Sequence, residues 1–257
     1  MTGATGASRL AAVVLTGGAG RRMGGVDKPA LPVGGRSMRE RVLAAVADAE
    51  PRIVVGTTDG LPPRVHGIRE RPAGGGPVAA TAAGLALLVS RSTSGNRGPA
   101  VVEWAAAAED TVDGGSTLGE NTVGEGSLGE GAVDGGTVVG SMPATVALLA
   151  ADLPLLTASA VHDLRTALEG APTADGVVYV DDTGRPQWLC GVWRTASLRR
   201  ALGRLATRHD GVLTGTSVRA LMAELTVAEL AWRGSGPPPW FDCDTDEDLR
   251  RAEEWIR

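Results

Sequence analysis

Hydrophobic positions fall in short runs divided by glycine-, proline- and charge-rich stretches. The first run, residues 10–15, is apolar throughout and stops at Gly17, which predicts a strand buried on both faces. Residues 52–56 read as a second strand. Residues 144–151 are the most apolar candidate and predict a central strand. Residues 176–180 and 188–193 predict two more. Between them the pattern is helical. Ser37 with Glu40 three positions on forms a capping box, predicting a helix to about Ala49. Residues 77–90 are rich in Ala and Leu and open on Pro77, which suits the first turn of a helix. Thr157 caps a helix over 158–168. Residues 195–205 and 217–225 read as helical, and Thr245 with Asp248 opens a terminal helix ending near Arg257. Strands alternating with helices predict an α/β fold with a mostly parallel central sheet. Ligands in such folds sit beyond the carboxyl ends of the strands.

The alternation breaks over residues 91–141. Here glycine, glutamate and Ser/Thr predominate, with a loose repeat of Ser116-Thr117-Leu118-Gly119-Glu120 in Ser127-Leu128-Gly129-Glu130. Too few large apolar residues are present to offset ordering entropy. The expectation is one domain over 1–257 with a low-complexity insertion at about 91–141. A functional lid is the other reading of the segment, although its negative charge would repel a triphosphate.

At 257 residues the chain can bury one sizeable core. The formal charge of −5 misleads. Asp110, Asp113, Glu120, Glu125, Glu130 and Asp134 lie in a stretch with no Lys or Arg, and the remainder is close to neutral. A general nucleic-acid surface is therefore not expected, and aromatics at 3% argue against a base-stacking platform. Two cysteines, Cys190 and Cys243, suit a reducing compartment better than a disulfide framework. The apolar run after Arg9 is too short to span a membrane. A cytoplasmic protein without membrane attachment is expected. His66, His162 and His209 lack the neighbours of a catalytic triad.

The densest chemical signal is Leu15-Thr16-Gly17-Gly18-Ala19-Gly20-Arg21-Arg22-Met23-Gly24-Gly25-Val26-Asp27-Lys28. Glycines let backbone N–H groups curl around an anion, and Arg21, Arg22 and Lys28 add full positive charge. A strand feeding such a loop builds a phosphate site. No G-K-[ST] follows, so it is not a Walker A loop, and the G-x-G-x-x-G spacing is missing. The bland alternative is a glycine-rich connection with solvated cations.

Two carboxylate sites stand apart from it. Asp152 ends the most apolar strand, where a charge is costly unless paired or metal-bound; alternatively it caps the turn before Thr157. The run Asp242-Cys243-Asp244-Thr245-Asp246-Glu247-Asp248 is rich in acids. A helix N-terminus accounts for Asp246, Glu247 and Asp248, but less well for Asp242 and Asp244, which precede the cap.

The glycine loop resembles the signature L-A-G-G-x-x-x-R-M-G-x-D-K of the molybdenum cofactor guanylyltransferase family. Further segments resemble family patterns. Ala151-Asp152-Leu153-Pro154 is similar to a strand ending C-D-M-P, and Phe241–Leu249 to F-x-N-V-N-T-P-E-D-L. Glu70–Pro77 is similar to D-x-P-G-x-G-P-L-A-G, with Arg71 in place of the usual acid. Arg185–Arg194 is similar to Q-P-L-x-x-x-Y-R, with Pro186 and Gln187 transposed.

The resemblance implies a Rossmann-like three-layer nucleotidyltransferase sandwich and transfer of GMP from GTP to molybdopterin. It places the nucleotide on Leu15, Thr16, Gly17, Gly18, Ala19, Gly20, Arg21, Lys28, Gly76 and Pro77. Lys28, Arg22 and Asp152 carry catalysis, with Arg22 on the β- and γ-phosphates and Lys28 on the α-phosphate. Asp152 and Asp244 hold magnesium, and Arg185 and Gln187 face the second substrate. It also implies contact with proteins that insert the finished cofactor. Against the acceptor and base stand a CTP-using cytidylyltransferase and a relative acting on another small phosphate. Against the activity stands a non-catalytic nucleotide-binding module.

Overall fold

The computed structural model describes residues 9–17, 27–93 and 142–257. The glycine-loop positions 18–26 and most of the predicted insertion therefore lie outside the described residues.

Strand β1 (Leu10–Leu15) is buried at every position. It pairs in parallel with β4 (Arg52–Val55) on one side and β6 (Thr145–Ala150) on the other. That central place is why its sequence carries no polar alternation: both faces are covered by helices. Alternate residues enter opposite layers. Leu10, Ala12 and Val14 pack with Val42, Leu43, Val161 and Leu164 of α1 (Met38–Ala45) and α3 (Ala158–Glu169). Ala11, Val13 and Leu15 pack with Val78, Leu85, Leu198 and Leu202 of α2 (Pro77–Thr93) and α4 (Thr195–Arg208). The result is the three-layer sandwich expected, and each fully buried aliphatic side chain contributes roughly 1.5–3 kcal/mol.

The seven-stranded sheet has the order β5-β4-β1-β6-β8-β7-β9, where β5 is Val65–Ile68, β7 Gly176–Val180, β8 Pro186–Arg194 and β9 Val227–Ala231. Among these, β8 runs antiparallel to both its neighbours, and the other pairings in this sheet are parallel. A small antiparallel pair, β2 (Pro32–Val33) and β3 (Arg36–Ser37), stands apart. It packs with α6 (Asp246–Ile256) around Val33, Met38, Cys243 and Ala252. Among the described residues, no helix is long and apolar enough to cross a membrane.

The caps read from the sequence form. Ser37 and Glu40 exchange both bonds of a capping box, as do Thr245 and Asp248. Thr157 accepts from the Ala160 amide at 3.2 Å.

Some boundaries differ from the expectation. Helix α1 stops at Ala45 rather than near Ala49, because residues 46–50 turn to place the Glu50 amide on the Leu10 carbonyl at 2.8 Å. Helix α5 spans Val218–Met222 and stops short of Leu225. The chain leaves it to lay Thr226 against Asp175 at 2.9 Å and begin β9. Strands β5 and β9 were not foreseen. Both pair on one side only, at the ends of the sheet order, and both are mostly half-buried, so neither needs a continuous apolar run.

Candidate active site

A cleft of about 890 Å³ opens where β1 and β6 end. The two strand ends are tied together: the Ala151 amide donates to the Leu15 carbonyl at 2.9 Å. Leu15, Thr16 and Gly17 continue β1 into the cleft wall. Thr16 is fixed from behind, its hydroxyl donating to the Val55 carbonyl at 2.7 Å. Gly56, at φ +111°, makes room for this; a Cβ there would overlap the Thr16 hydroxyl.

Lys28 enters from a single 3₁₀ turn, Lys28–Ala30, whose Pro29 is buried. Its ammonium donates to Asp152 Oδ2 at 2.7 Å and to Asp244 Oδ1 at 2.6 Å. Its side chain is 11% exposed. Burial alone would lower the lysine pKa, but the hydrogen bonds and charges of Asp152 and Asp244 outweigh it and hold the pKa above the usual value.

Each carboxylate is positioned by its own element. Asp152 follows β6 directly. Its carbonyl accepts from the Cys243 amide at 3.3 Å, stitching the second acidic segment to the first. Asp244 is held by the α6 cap: the Asp248 carboxylate accepts from the amides of Asp244 at 3.1 Å and Thr245 at 2.8 Å. Asp248 thus serves the backbone, which leaves Asp244 to face the cleft. Asp242 lines the same cleft. Desolvation, then the charges of Asp244 and Asp152, push its carboxyl pKa up.

Among the described residues, no group of three or more His, Cys, Asp or Glu side chains is arranged to hold a metal ion. Two carboxylates nevertheless converge on one cation, here the Lys28 ammonium. An all-oxygen pair of this kind suits magnesium, which takes few protein ligands and completes its shell with phosphates and waters. The donor set therefore fits the implied metal.

Of the positions expected to hold a nucleotide, Leu15, Thr16, Gly17, Lys28 and Pro77 line the cleft. Gly76 sits beside Pro77 at φ +90°, within a turn tied to a neighbouring loop by the Gly215 amide on the Gly75 carbonyl at 2.9 Å. Gly18, Ala19, Gly20, Arg21 and Arg22 lie outside the described residues. Arg71 is exposed. Glu70 is buried and accepts from the Gly74 amide at 3.0 Å, so it braces the turn.

The far wall carries the residues expected to face a second substrate. Arg185 and Gln187 line it at the head of β8. Asp181 shapes that hairpin, accepting from the amides of Thr183 and Arg185 and from Gln187 Nε2 at 3.3 Å. Sequence reasoning passed over Trp240 and Phe241, which also line the cleft. Their signal was adjacency, since they stand immediately before Asp242 and Asp244. The low aromatic content concealed that three of the few rings, with Trp188, gather in one place.

Neither cysteine offers a nucleophile. Burial pushes the Cys190 thiol up to about 12, and burial together with nearby Asp248 does the same to Cys243.

The family model described as MobA-like NTP transferase domain matches residues 12–228. A molybdenum cofactor guanylyltransferase from Acidiphilium cryptum (strain JF-5) is 55% identical over 40 residues, 16% of this chain and 20% of that protein. The matched stretch thus spans about a fifth of that relative's length. Among solved structures, molybdopterin-guanine dinucleotide biosynthesis protein A from Archaeoglobus fulgidus is similar with a TM-score of 0.57 and 17% identity, over 95% of this chain and 96% of that one. The 2-C-methyl-D-erythritol 4-phosphate cytidylyltransferase from Thermus thermophilus gives 0.53 and 16%, over 95% and 97%. At such identities these two share the fold. With the family model covering most of the chain and the sandwich matching it, this protein belongs to the MobA-like NTP transferase domain family.

Proposed function

We propose that this protein is a magnesium-dependent nucleotidyltransferase that transfers GMP from GTP to a molybdopterin-type acceptor. An oxygen of the acceptor phosphate attacks the α-phosphorus of GTP. The bond from that phosphorus to the α–β bridging oxygen breaks, and pyrophosphate leaves. No enzyme nucleophile is required, and neither thiol is poised to be one. Catalysis is then positioning plus charge stabilisation.

The observation that carries this reading is the meeting of Lys28, Asp152 and Asp244 at the carboxyl ends of β1 and β6. Asp152 and Asp244 would hold the magnesium, which neutralises phosphate charge when bound. Lys28 supplies the positive charge for the α-phosphoryl group. Gly18, Ala19, Gly20 and Arg22 belong to this reading as the β- and γ-phosphate contacts, with Arg21 beside them. A simple binding module has no need of a lysine wedged between two carboxylates. The 40-residue likeness to a molybdenum cofactor guanylyltransferase supports GTP and a molybdopterin acceptor.

One observation favours a second reading. Glu70 is engaged by the Gly74 amide and Arg71 replaces the family's acid, so this turn offers no free carboxylate to the N1–H and N2–H of guanine. A CTP-using enzyme needs none there.

Thermal stabilisation by GTP, CTP, ATP and UTP with and without magnesium tests the choice, because a ligand stabilises by mass action on the folded state. GTP with magnesium is expected to give the largest shift, and pyrophosphate release with molybdopterin is expected to follow. A larger shift with CTP replaces the guanylyl reading with the cytidylyl one. Nucleotide binding without pyrophosphate release leaves a binding module.

A further inference from the structure

The cleft has two flanks. Pro77 lies on one, at the start of α2, which packs on β4 and β1. On the other, Trp240 stands over the end of the sheet occupied by β7. It is half-buried, and its ring is backed by two others. The Tyr179 ring lies 5.2 Å away, tilted by 35°, and the Trp232 ring 6.5 Å away, edge-on at 83°.

This backing is rigid. Tyr179 is buried in the core, its hydroxyl donates to the Ala160 carbonyl at 2.9 Å, and burial holds its pKa above the usual value, so it stays a neutral donor. Trp232 is pinned by its indole N–H on the Gly236 carbonyl at 3.2 Å. The Phe241 amide closes a turn onto the Pro238 carbonyl at 3.1 Å, fixing the segment that presents Trp240. A half-exposed indole braced from behind by an anchored Tyr and Trp is pre-organised for a flat partner, since little side-chain entropy remains to be lost on stacking.

Its position along the chain matters as much. Trp240 precedes Asp244 by four residues, a reach of at most ~14 Å even if fully extended. A ring seated on Trp240 therefore lies within one small molecule's length of the Lys28–Asp244 contact.

Resting on the nucleotidyltransferase reading above, we infer that Trp240 is the stacking platform for the acceptor, and that the acceptor is a phosphate ester of a planar heteroaromatic ring rather than of a sugar or polyol. Stacking is indifferent to the ring's hydrogen-bond pattern, so Trp240 selects for flatness, while the phosphate is left to the charged groups near Asp244.

The test uses the full-length protein with two acceptor surrogates, neopterin monophosphate and glycerol 3-phosphate, titrated by calorimetry in wild type, Trp240→Leu and Trp240→Phe. GTP with magnesium is titrated in parallel. Wild type is expected to bind neopterin monophosphate at least tenfold more tightly than glycerol 3-phosphate. Trp240→Leu is expected to lose at least tenfold in neopterin monophosphate affinity while GTP binding stays within twofold. Trp240→Phe, which keeps a flat ring over Tyr179, is expected to retain affinity within threefold and guards against a folding defect in the leucine variant. Equal affinity for both surrogates, or unchanged neopterin monophosphate binding in a folded Trp240→Leu, overturns the inference. Loss of GTP binding by wild type itself overturns the nucleotidyltransferase reading instead.

Discussion

Lys28 and Asp152 lie 124 positions apart in the chain and meet at 2.7 Å. The same ammonium reaches Asp244, 216 positions away, at 2.6 Å. One cation thus holds together three segments: the turn after the glycine loop, the end of β6, and the cap of α6. The lysine organises the cleft before any ligand enters it.

Replacing Lys28 by alanine is expected to cost about 10²–10³-fold in turnover, the usual loss when one charge-stabilising contact is removed. It also leaves Asp152 and Asp244 facing each other without a counter-charge, so both carboxyls are expected to titrate at higher pH than in wild type. Pyrophosphate release and carboxyl NMR titration check the two effects. A variant with most of its turnover intact contradicts the role given to Lys28.

Asp152→Asn keeps the side-chain shape but removes the charge that a hard cation prefers. Activity is expected to fall more than nucleotide affinity, and partial recovery is expected at raised magnesium. Measuring turnover and GTP affinity across a magnesium series decides it. Identical magnesium dependence in the variant and wild type would leave Asp152 as a turn residue only.

Gly56→Ala tests how the phosphate loop is launched. The added Cβ would overlap the Thr16 hydroxyl, at a φ that L-residues seldom adopt. A loss of about 1–3 kcal/mol is expected, or roughly 2–4 °C in Tm for each kcal/mol. Thr16→Gly in the same chain removes the clash and is expected to recover part of the loss. Calorimetric melting of the single and double variants measures both. No recovery would mean that backbone strain alone accounts for the cost.

Acid stability should report on Glu224. Its carboxylate accepts from Arg204 at 2.9 Å and from Arg208, joining the end of α4 to the chain entering β9. Arg204 first, then Arg208, hold its pKa below the ordinary glutamate value of 4.5. A pKa depressed on folding contributes stability above the unfolded value, and that stability is lost as pH falls through the folded one. Glu224→Gln is expected to lower Tm at pH 7 by a small amount, because partly exposed pairs contribute only about 0.2–1 kcal/mol each. The gap to wild type is expected to close as pH drops below about 4.5. A constant gap from about pH 7 to about pH 3 would show that packing rather than charge is responsible.

The sequence by itself determined the elements whose causes are local. Ser37, Thr157 and Thr245 cap their helices because a hydroxyl three residues before an amide needs nothing beyond its own turn. Strand β1 was legible because a uniformly apolar run can only be buried on both sides. Asp152 was legible as a candidate because a charge ending such a run demands a partner. Tertiary structure decided what depends on distant neighbours. Strands β5 and β9 exist because β4 and β7 offer them backbone groups to pair with, which no pattern within Val65–Ile68 or Val227–Ala231 announces. Glu70 was a plausible contact for a base until folding turned it onto Gly74. Trp240 gained meaning when Tyr179 and Trp232, from separate strands and loops, were brought behind it. Local hydrogen bonds act within one turn of the chain, whereas pairing, stacking and charge neutralisation join segments that only the packed sheet brings within a few ångströms.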